Sequence, residues 1–493
     1  MDKKIKNLVS TLSILNINNH SKAWWAFNFT SKNPYNTFFF DRILFKKKYP
    51  SHTYNWIYIF IIFIKNIVKS FFLLSQAFIY YLSLKENTQL NKTILFSYID
   101  GRSRKNGDTY FDNLIDLINS GSNINAGYLF YVYRPYFKNS KVIDSEKNDQ
   151  HNIFSYLKPY DFIWCFLKIF KIPFTNVNCS NAVISNSKID IKKIIIFQMI
   201  SEISNGYLDN LIIQRAFRRL SIEKEIDRII YPFENKSLEK LMLLEISDKI
   251  KTIGYQHSSI TPSHFSLMLT NEERLTNPLP DVIVTIGEVT KNWLIENGKI
   301  PKEKIKTGVY LRGVKRLKQK KYFSSKNPSL LFVFSSSYDE IIRTIKFLKS
   351  GIQHLEIYKL TFRFHPDFPF NKLDKKYKDW INQNKILISK KDLQEELQFC
   401  DILIYLSSSI AIEALSYNIP IIKLDINPYD SDPLLNKKLE LKRNAKNIID
   451  LVNSIKEFSE LKGLDNEKYF KDSIDYVNNY TIDKSNLNIK VFL

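Results

Sequence analysis

Cysteine is scarce in this chain. Its 493 residues include three, Cys165, Cys179 and Cys400. They are far apart, odd in number and without metal-ligand spacing, which argues against a disulfide framework and a zinc site and makes a reducing compartment the default. Twelve glycines and 16 prolines are too few for a fibrous or linker-rich protein. No internal repeat and no long low-complexity tract is present. Acidic residues are outnumbered, 50 against 72 Lys and Arg, for a formal net charge of +22. That balance favours anionic partners: nucleic acid, an acidic membrane face or phosphorylated substrates. Residues 1–90 alone hold 12 basic and 3 acidic residues. Such concentration fits a membrane-facing patch better than a nucleic-acid groove, and no recognition-module signature accompanies the charge. No nucleic-acid partner is expected; a basic nucleic-acid binder is the non-enzyme alternative.

Long apolar runs are also lacking. Met1 to Asn19 has no apolar core of about seven residues and no small-residue cleavage site, so no secretory leader is expected there. Ile57 to Ile64 is an eight-residue apolar run. Lys65, Asn66 and Lys69 interrupt it before a second, mostly apolar run from Phe71 to Leu82. Neither run reaches the roughly 20 residues that span hydrocarbon. Lys65 and Lys69, four apart, share a helix face; Trp56 and Tyr58 mark one end, Tyr80 and Tyr81 the other. This predicts a helix lying in a membrane interface. The alternative is a very hydrophobic helix packed on the first domain.

What the chain does have is length for two domains and a hydrophobic content of 44%, enough for substantial cores. From residue 91 onward, short apolar strands alternate with helical patterns. Strands are expected at Thr93–Ile99, Ala126–Tyr133, Arg228–Tyr231 and Lys251–Tyr255, with one long helix from Ile191 to Ser221. A second series follows: strands at Asp281–Ile286, Ile305–Tyr310, Leu330–Phe334, Lys359–Phe364, Ile386–Ser389, Ile402–Leu406 and Pro420–Leu424, separated by helices. This alternation implies α/β domains built on parallel sheets wound on both faces. Ligands in such sheets sit at the carboxyl ends of strands. The expected domains are a basic, hydrophobic extension at 1–90, a first α/β domain at 91–310, a second at 311–480 and a tail at 481–493.

Two segments carry the strongest chemical signal. Arg363-Phe364-His365-Pro366 closes a strand, with Arg363 and His365 on one face and Pro366 fixing the exit. Arg offers a planar donor fork for phosphate oxygens, and His can donate to a phosphate or protonate a leaving group. The plain alternative is a capped strand with a solvated Arg. Further on, a strand runs into Leu406-Ser407-Ser408-Ser409 and then a helix. Ser409 is the expected N-cap, and free N–H groups at a helix start bind anions. Glu413 lies one turn on, where it can accept from ribose hydroxyls. An ordinary capped helix is the alternative. The two segments are expected on neighbouring strands.

Together they resemble two-domain B-fold (GT-B) glycosyltransferases that use CMP-linked sugars or CDP-linked polyols. These include bacterial sialyltransferases, capsule Kdo transferases and teichoic-acid polymerases, with a His-Pro motif after one strand and a Ser-Ser motif before a later helix. The resemblance covers roughly residues 226–425 and implies two Rossmann-like domains. It also implies that His365, Ser408 and Ser409 contact the donor phosphates. Ile253-Gly254-Tyr255-Gln256-His257-Ser258 is similar to the family's strand ending Gln-His-Gly, with Ser258 in place of the glycine. Tyr231-Pro232-Phe233-Glu234-Asn235 resembles a strand-then-Glu-Gly/Asn segment of related surface-polysaccharide transferases, which makes Glu234 a candidate base. Polar loop residues and a helix-start acid are the plain alternatives. Asp100 to Asp108 adds Asp108, a second candidate base or the N-cap of the next helix, and Arg102 and Arg104, which can meet an anionic acceptor. Asp430-Ser431-Asp432 has the Asp-x-Asp spelling but follows the last strand in a Pro-containing loop, so no metal and no other cofactor is expected.

The expected function is a metal-independent glycosyltransferase of surface-polysaccharide (capsule or lipopolysaccharide) synthesis. It would take a nucleotide-activated sugar, CMP-linked for preference, to a glycan or lipid-linked acceptor. Its expected place is cytoplasmic, on the inner face of the cell membrane. A CDP-polyol phosphotransferase and a sugar-nucleotide epimerase are the enzyme alternatives.

Overall fold

The computed structural model describes residues 3–33, 56–84, 90–100, 103, 108–143, 149–182, 191–313, 327–427, 429–460 and 466–493. The chain divides into two compact units. Met1–His257, His264–Arg312 and Lys484–Leu493 form the first, and Ser258–Ser263 with Gly313–Asp483 the second.

The first unit is built on a parallel sheet of strands β1 (Thr93–Ile99), β2 (Ala126–Val132), β3 (Gln150–Asn152), β4 (Arg228–Pro232), β5 (Lys251–Gln256), β6 (Val282–Thr285) and β7 (Ile305–Thr307). Their order is β3-β2-β1-β4-β5-β6-β7. The second carries β8 (Ser329–Val333), β9 (Lys359–Arg363), β10 (Leu387–Ile388), β11 (Ile402–Tyr405), β12 (Ile421–Leu424) and β13 (Lys442–Ala445), ordered β10-β9-β8-β11-β12-β13. Both sheets run outward from their first strand in one direction, then return and continue in the other. This is the doubly wound, Rossmann-type topology expected from the alternation, with switch points at β1/β4 and β8/β11. The central strands are apolar because both sheet faces are covered: β2 and β11 are buried along their whole length. Strands β3 and β13, at sheet edges, escape a hydrophobicity reading because their sequences, QHN and KRNA, are polar.

One expectation about a helix changes. The single helix from Ile191 to Ser221 is two, Ile191–Glu202 and Leu208–Glu223. The chain kinks at Asn205 and Gly206, where Gly206 has φ 110° and a Cβ would meet the Asn28 amide at 2.1 Å. Residues Phe27–Ser31 fill the break: the Glu202 carboxylate accepts the backbone N–H groups of Asn28 and Phe29 (2.5 and 3.0 Å). The helix expected across the two apolar runs near residue 65 is present as Trp56–Leu82, and it is long and apolar enough to cross a membrane, although neither run is so alone. Asn66 does not break it because its amide turns inward, donating to Ile200 O (3.1 Å) and accepting from Ser204 (2.8 Å). Tyr80 is no interfacial anchor: it is buried, and its hydroxyl accepts from Asn152 (2.6 Å).

Both chain ends pack within the first unit. Lys32 and Glu273 form a fully buried ion pair (2.7 Å), with Asn16 donating to the same carboxylate (2.8 Å), which supplies the partners a buried charge needs. At the other end, the Leu493 carbonyl accepts from Arg228 and Lys251 (2.8 and 2.6 Å).

Candidate functional site

In the first unit, chemistry gathers at the carboxyl ends of β1, β4 and β5, beside the switch point. Ser97, near the end of β1, donates to the Asp108 carboxylate, whose other oxygen accepts the N–H groups of Tyr110 and Phe111 (2.7 Å each). Asp108 thus closes a turn ahead of the helix Leu114–Gly121 rather than capping that helix, whose N-cap position is Asn113. Burial pushes its carboxyl up, against the lowering effect of these donors and of Arg312. The Tyr110 ring meets the His257 imidazole edge-on (4.8 Å between centroids) and lies under the Arg312 guanidinium (5.9 Å). Asp108 and His257 therefore flank one tyrosine.

His257 extends from the end of β5, buried, with Nε2 3.5 Å from Glu234 Oε1. Burial holds its pKa down to about 4, so the imidazole is neutral near pH 7. Ser258, in place of the resembled glycine, costs the backbone nothing, because it is not among the residues with positive φ. Asn235 does take φ 56°, a region that glycine and asparagine tolerate. Its neighbour Glu234 is ion-paired to Lys236. Burial would raise that carboxyl, but Lys236 and His257 hold it at about 2. Glu239 behaves oppositely. It accepts the backbone N–H groups of Glu234 and Asn235 (3.1 and 2.8 Å), is buried, and is pushed up to about 8 by burial and by the Glu234 charge. Arg102 and Arg104 lie outside the described residues.

The second unit places its candidates around the β8/β11 switch point. Here the structure corrects the sequence reading: β9 and β11 are not neighbours, because β8 lies between them. The chain leaves β8 toward β9 and β10, then crosses back to β11. Arg363, at the end of β9, donates to Lys391 O (2.8 Å) and Ser389 Oγ (3.3 Å), on the β10 side. Its charge still reaches Glu413, lowering a carboxyl that burial raises. His365 is half-buried; its Nδ1 accepts from Asp367 N (3.1 Å). Ser409 is exposed, adopts helical φ and ψ, and caps nothing with its side chain, whereas Ser408 Oγ accepts the N–H of Ile410 (3.4 Å). The capping serine is Ser408, one residue earlier than expected, because the chain already turns helical at Ser409.

Ser407 has a different occupation. Its hydroxyl donates to Glu340, which also receives Ser335 Oγ and Asn427 Nδ2 (2.9 Å). A hydroxyl has one proton, so Ser407 cannot give it to a phosphate as well. Glu340 was not singled out from the sequence, although Ser337-Tyr338-Asp339-Glu340 has capping-box spacing: Ser337 Oγ accepts Glu340 N at 3.4 Å. Sequence pattern places the acid on the helix start; only the strand order shows it between two strand ends. Lys236 and Arg312 were likewise not singled out. Asp432, in the Asp-x-Asp spelling, is buried against Lys442 and accepts from Tyr405 OH (3.0 Å). Among the described residues, no cluster of three or more His, Cys, Asp or Glu is arranged to hold a metal.

No family model and no curated protein matches this chain. Solved structures do. A glycosyltransferase from Rickettsia africae is 12% identical with a TM-score of 0.43, over 82% of this chain and 96% of that one. The wall teichoic acid polymerase TagF is 14% identical at 0.39, over 89% and 95%. A UDP-GlcNAc 2-epimerase from Methanocaldococcus jannaschii is 11% identical at 0.39, over 74% and 92%. Likeness this distant, shared by transferases and an epimerase, leaves the reaction to be argued from the residues.

Proposed function

We propose that this protein is a glycosyltransferase that moves a sugar from a nucleotide-activated donor to a glycan or lipid-linked acceptor of a surface polysaccharide. The reading is supported above all by the carboxyl edge of the second sheet. Nucleotides bind at a Rossmann-type switch point; Ser408, Ser409 and Glu413 follow β11, which forms this one with β8, and Arg363 and His365 close β9 on the other side of β8. Arg363 and His365 meet the charge of the departing nucleotide phosphate, so that protein donors rather than a metal ion stabilise it. Ser408, Ser409 and the adjoining N–H groups add further donors, and Glu413 accepts from the ribose.

In the first unit Asp108 is the better base. A catalytic base works best with a pKa near the working pH. Asp108 is displaced upward toward that range, whereas Glu234 is held at about 2. In the reaction, the acceptor oxygen forms its bond to the anomeric carbon and its proton passes to Asp108. The bond from that carbon to the phosphate oxygen breaks, and its electron pair leaves with the nucleotide. Glu234 and neutral His257 position the acceptor, with Arg102 and Arg104 as further anionic-acceptor contacts. CMP-linked donors are favoured by the motif resemblance; a CDP-polyol would turn the same edge to phosphotransfer. Helix Trp56–Leu82 holds the enzyme on the inner face of the membrane, beside a lipid-linked acceptor.

A thermal-shift screen with CMP, CDP, UDP, GDP and ADP tests the donor reading. Stabilisation by CMP or CDP that is lost in His365→Ala supports it. A response confined to UDP redirects it toward the epimerase alternative, and no response to any nucleotide sinks it.

A further inference from the structure

Helix Trp56–Leu82 is apolar on two faces. The inner stripe, which includes Ile59, Phe63, Leu74 and Ala77, is buried within the first unit. The outer stripe is bare: Ile57, Ile61, Ile64, Val68 and Phe72 are 44–67% exposed. A soluble surface rarely leaves so long an apolar strip uncovered, and at 1.5 Å per residue a helix of 27 residues runs about 40 Å.

A second helix widens the strip. Pro159–Ile169 packs Phe162 on Phe78 and Tyr81 (5.3 and 5.5 Å between ring centroids) and Phe166 on Phe71 (6.1 Å). With those rings turned in, Ile163 and Leu167 are left 61% and 57% exposed, and Phe170 and Phe174 beyond the helix 42% and 86%. The spacing 163, 167, 170 is that of one helical stripe.

Charge identifies what covers this face. Residues 56–84 and 159–182 contain one acid, Asp161. It is buried and turned inward to Arg215 and Arg219 (2.7 Å each). The charges left on the outside are lysines: Lys65, Lys69 and Lys171 are exposed, Lys168 lies over the Trp164 ring (4.8 Å), and Lys193 lies over Trp56 (5.7 Å). An apolar strip bordered by lysines, without an outward carboxylate, complements hydrocarbon beneath anionic headgroups.

We propose that residues 160–174 are the second half of a two-helix face that lies in the surface of an anionic bilayer, side by side with helix Trp56–Leu82. This rests on the membrane reading of that helix. The two helices together fix the rotation of the first unit about the long helix, which one cylinder alone leaves free.

The test is co-sedimentation of the full-length protein with phosphatidylcholine vesicles, with and without phosphatidylglycerol. Ile163, Leu167 and Phe174 are replaced together by Gln; a second variant carries Ile61→Gln and Phe72→Gln. All five positions are exposed, and unchanged melting curves establish that the variants fold. The expected result is binding that needs the anionic lipid and falls at least about tenfold in each variant. If the 163/167/174 variant binds like the native protein while the 61/72 variant does not, this inference falls and the membrane reading of the long helix stands. Native protein that binds no vesicle overturns both. A native dimer in light scattering that the 163/167/174 variant splits, with vesicle binding unchanged, assigns the face to a second copy of the chain and overturns the inference.

Discussion

Asp108 and Glu234 are both carboxylates at the end of one sheet, yet their surroundings drive them apart. Around Asp108 desolvation outweighs the donors; around Glu234 an ammonium and an imidazole outweigh desolvation. Asp108→Asn keeps the shape and can still accept the Tyr110 and Phe111 N–H groups, so its expected effect is on kcat, a fall of about 10²–10⁴-fold, with nucleotide binding intact. The pH profile follows in sign: a base must be ionised, so kcat/KM rises with pH through the Asp108 pKa. Because that pKa is raised, the acid limb lies above the ordinary aspartate value. A limb at the ordinary value, or an Asn variant that turns over normally, removes Asp108 from the mechanism. Ser407 gives a second contrast. With its proton on Glu340, Ser407→Ala is expected to destabilise the second unit by about 1 kcal/mol while nucleotide affinity holds. Ser408→Ala and Ser409→Ala are expected to weaken nucleotide affinity. Calorimetric titration of the three variants with CMP separates the roles, and loss of affinity in Ser407→Ala alone reverses them.

Elements explain which parts of this architecture are legible in the sequence. Strands β1, β2, β4, β5, β8 and β11 each carry a mostly buried stretch centred on apolar residues, because neighbours cover both faces, so pattern alone finds them. Edge strands β3 and β13 have polar sequences, QHN and KRNA, and pattern misses them. The kink at Asn205–Gly206 depends on residues 27–31, about 175 positions away in sequence, and no local rule supplies it. Candidate residues follow the same division. His257 and Glu234 stand at strand ends that periodicity locates, and they do meet. The strands that lead to Arg363 and Ser407 were expected side by side, but strand order is a tertiary fact, and β8 intervenes. Glu239 shows an element acting through its first turn. Its carboxylate receives the N–H groups of Glu234 and Asn235, just after β4, and is pushed up to about 8, from an ordinary 4.5. The folded state therefore binds this proton more tightly than the unfolded state. The stability this contributes is complete below about pH 4.5 and is lost as pH rises through about 8. Glu202, raised to about 7 by burial, adds the same sign. His257, held down to about 4, and Lys240, held down to about 7 by burial, carry the opposite sign, so the readout is a difference: the melting temperature of the native protein is expected to fall relative to that of Glu239→Gln between about pH 5 and about pH 9. Parallel curves for the two proteins would show that Glu239 is ionised at little cost.

At the scale of the whole molecule, the charge of +22 and the apolar outer stripe make different demands on a partner. Charge alone attracts any polyanion, and its reach is set by salt: the Debye length is about 8 Å at physiological ionic strength and about 3 Å at 1 M. A nucleic-acid binder held through phosphates loses affinity by orders of magnitude over a much smaller rise in salt. Burial of Ile61, Phe72 and Leu167 in hydrocarbon is not screened. For a protein docked by both, the lysines set how fast and how selectively it reaches an anionic surface, and the apolar face sets how long it stays. Binding to phosphatidylglycerol vesicles is therefore expected to weaken with salt and to persist at about 1 M, whereas any association with generic RNA disappears. Complete release from vesicles at high salt would mean that the lysines alone hold the protein and that the outer stripe stays out of the bilayer. RNA binding that survives the same salt would instead favour the nucleic-acid alternative over the transferase.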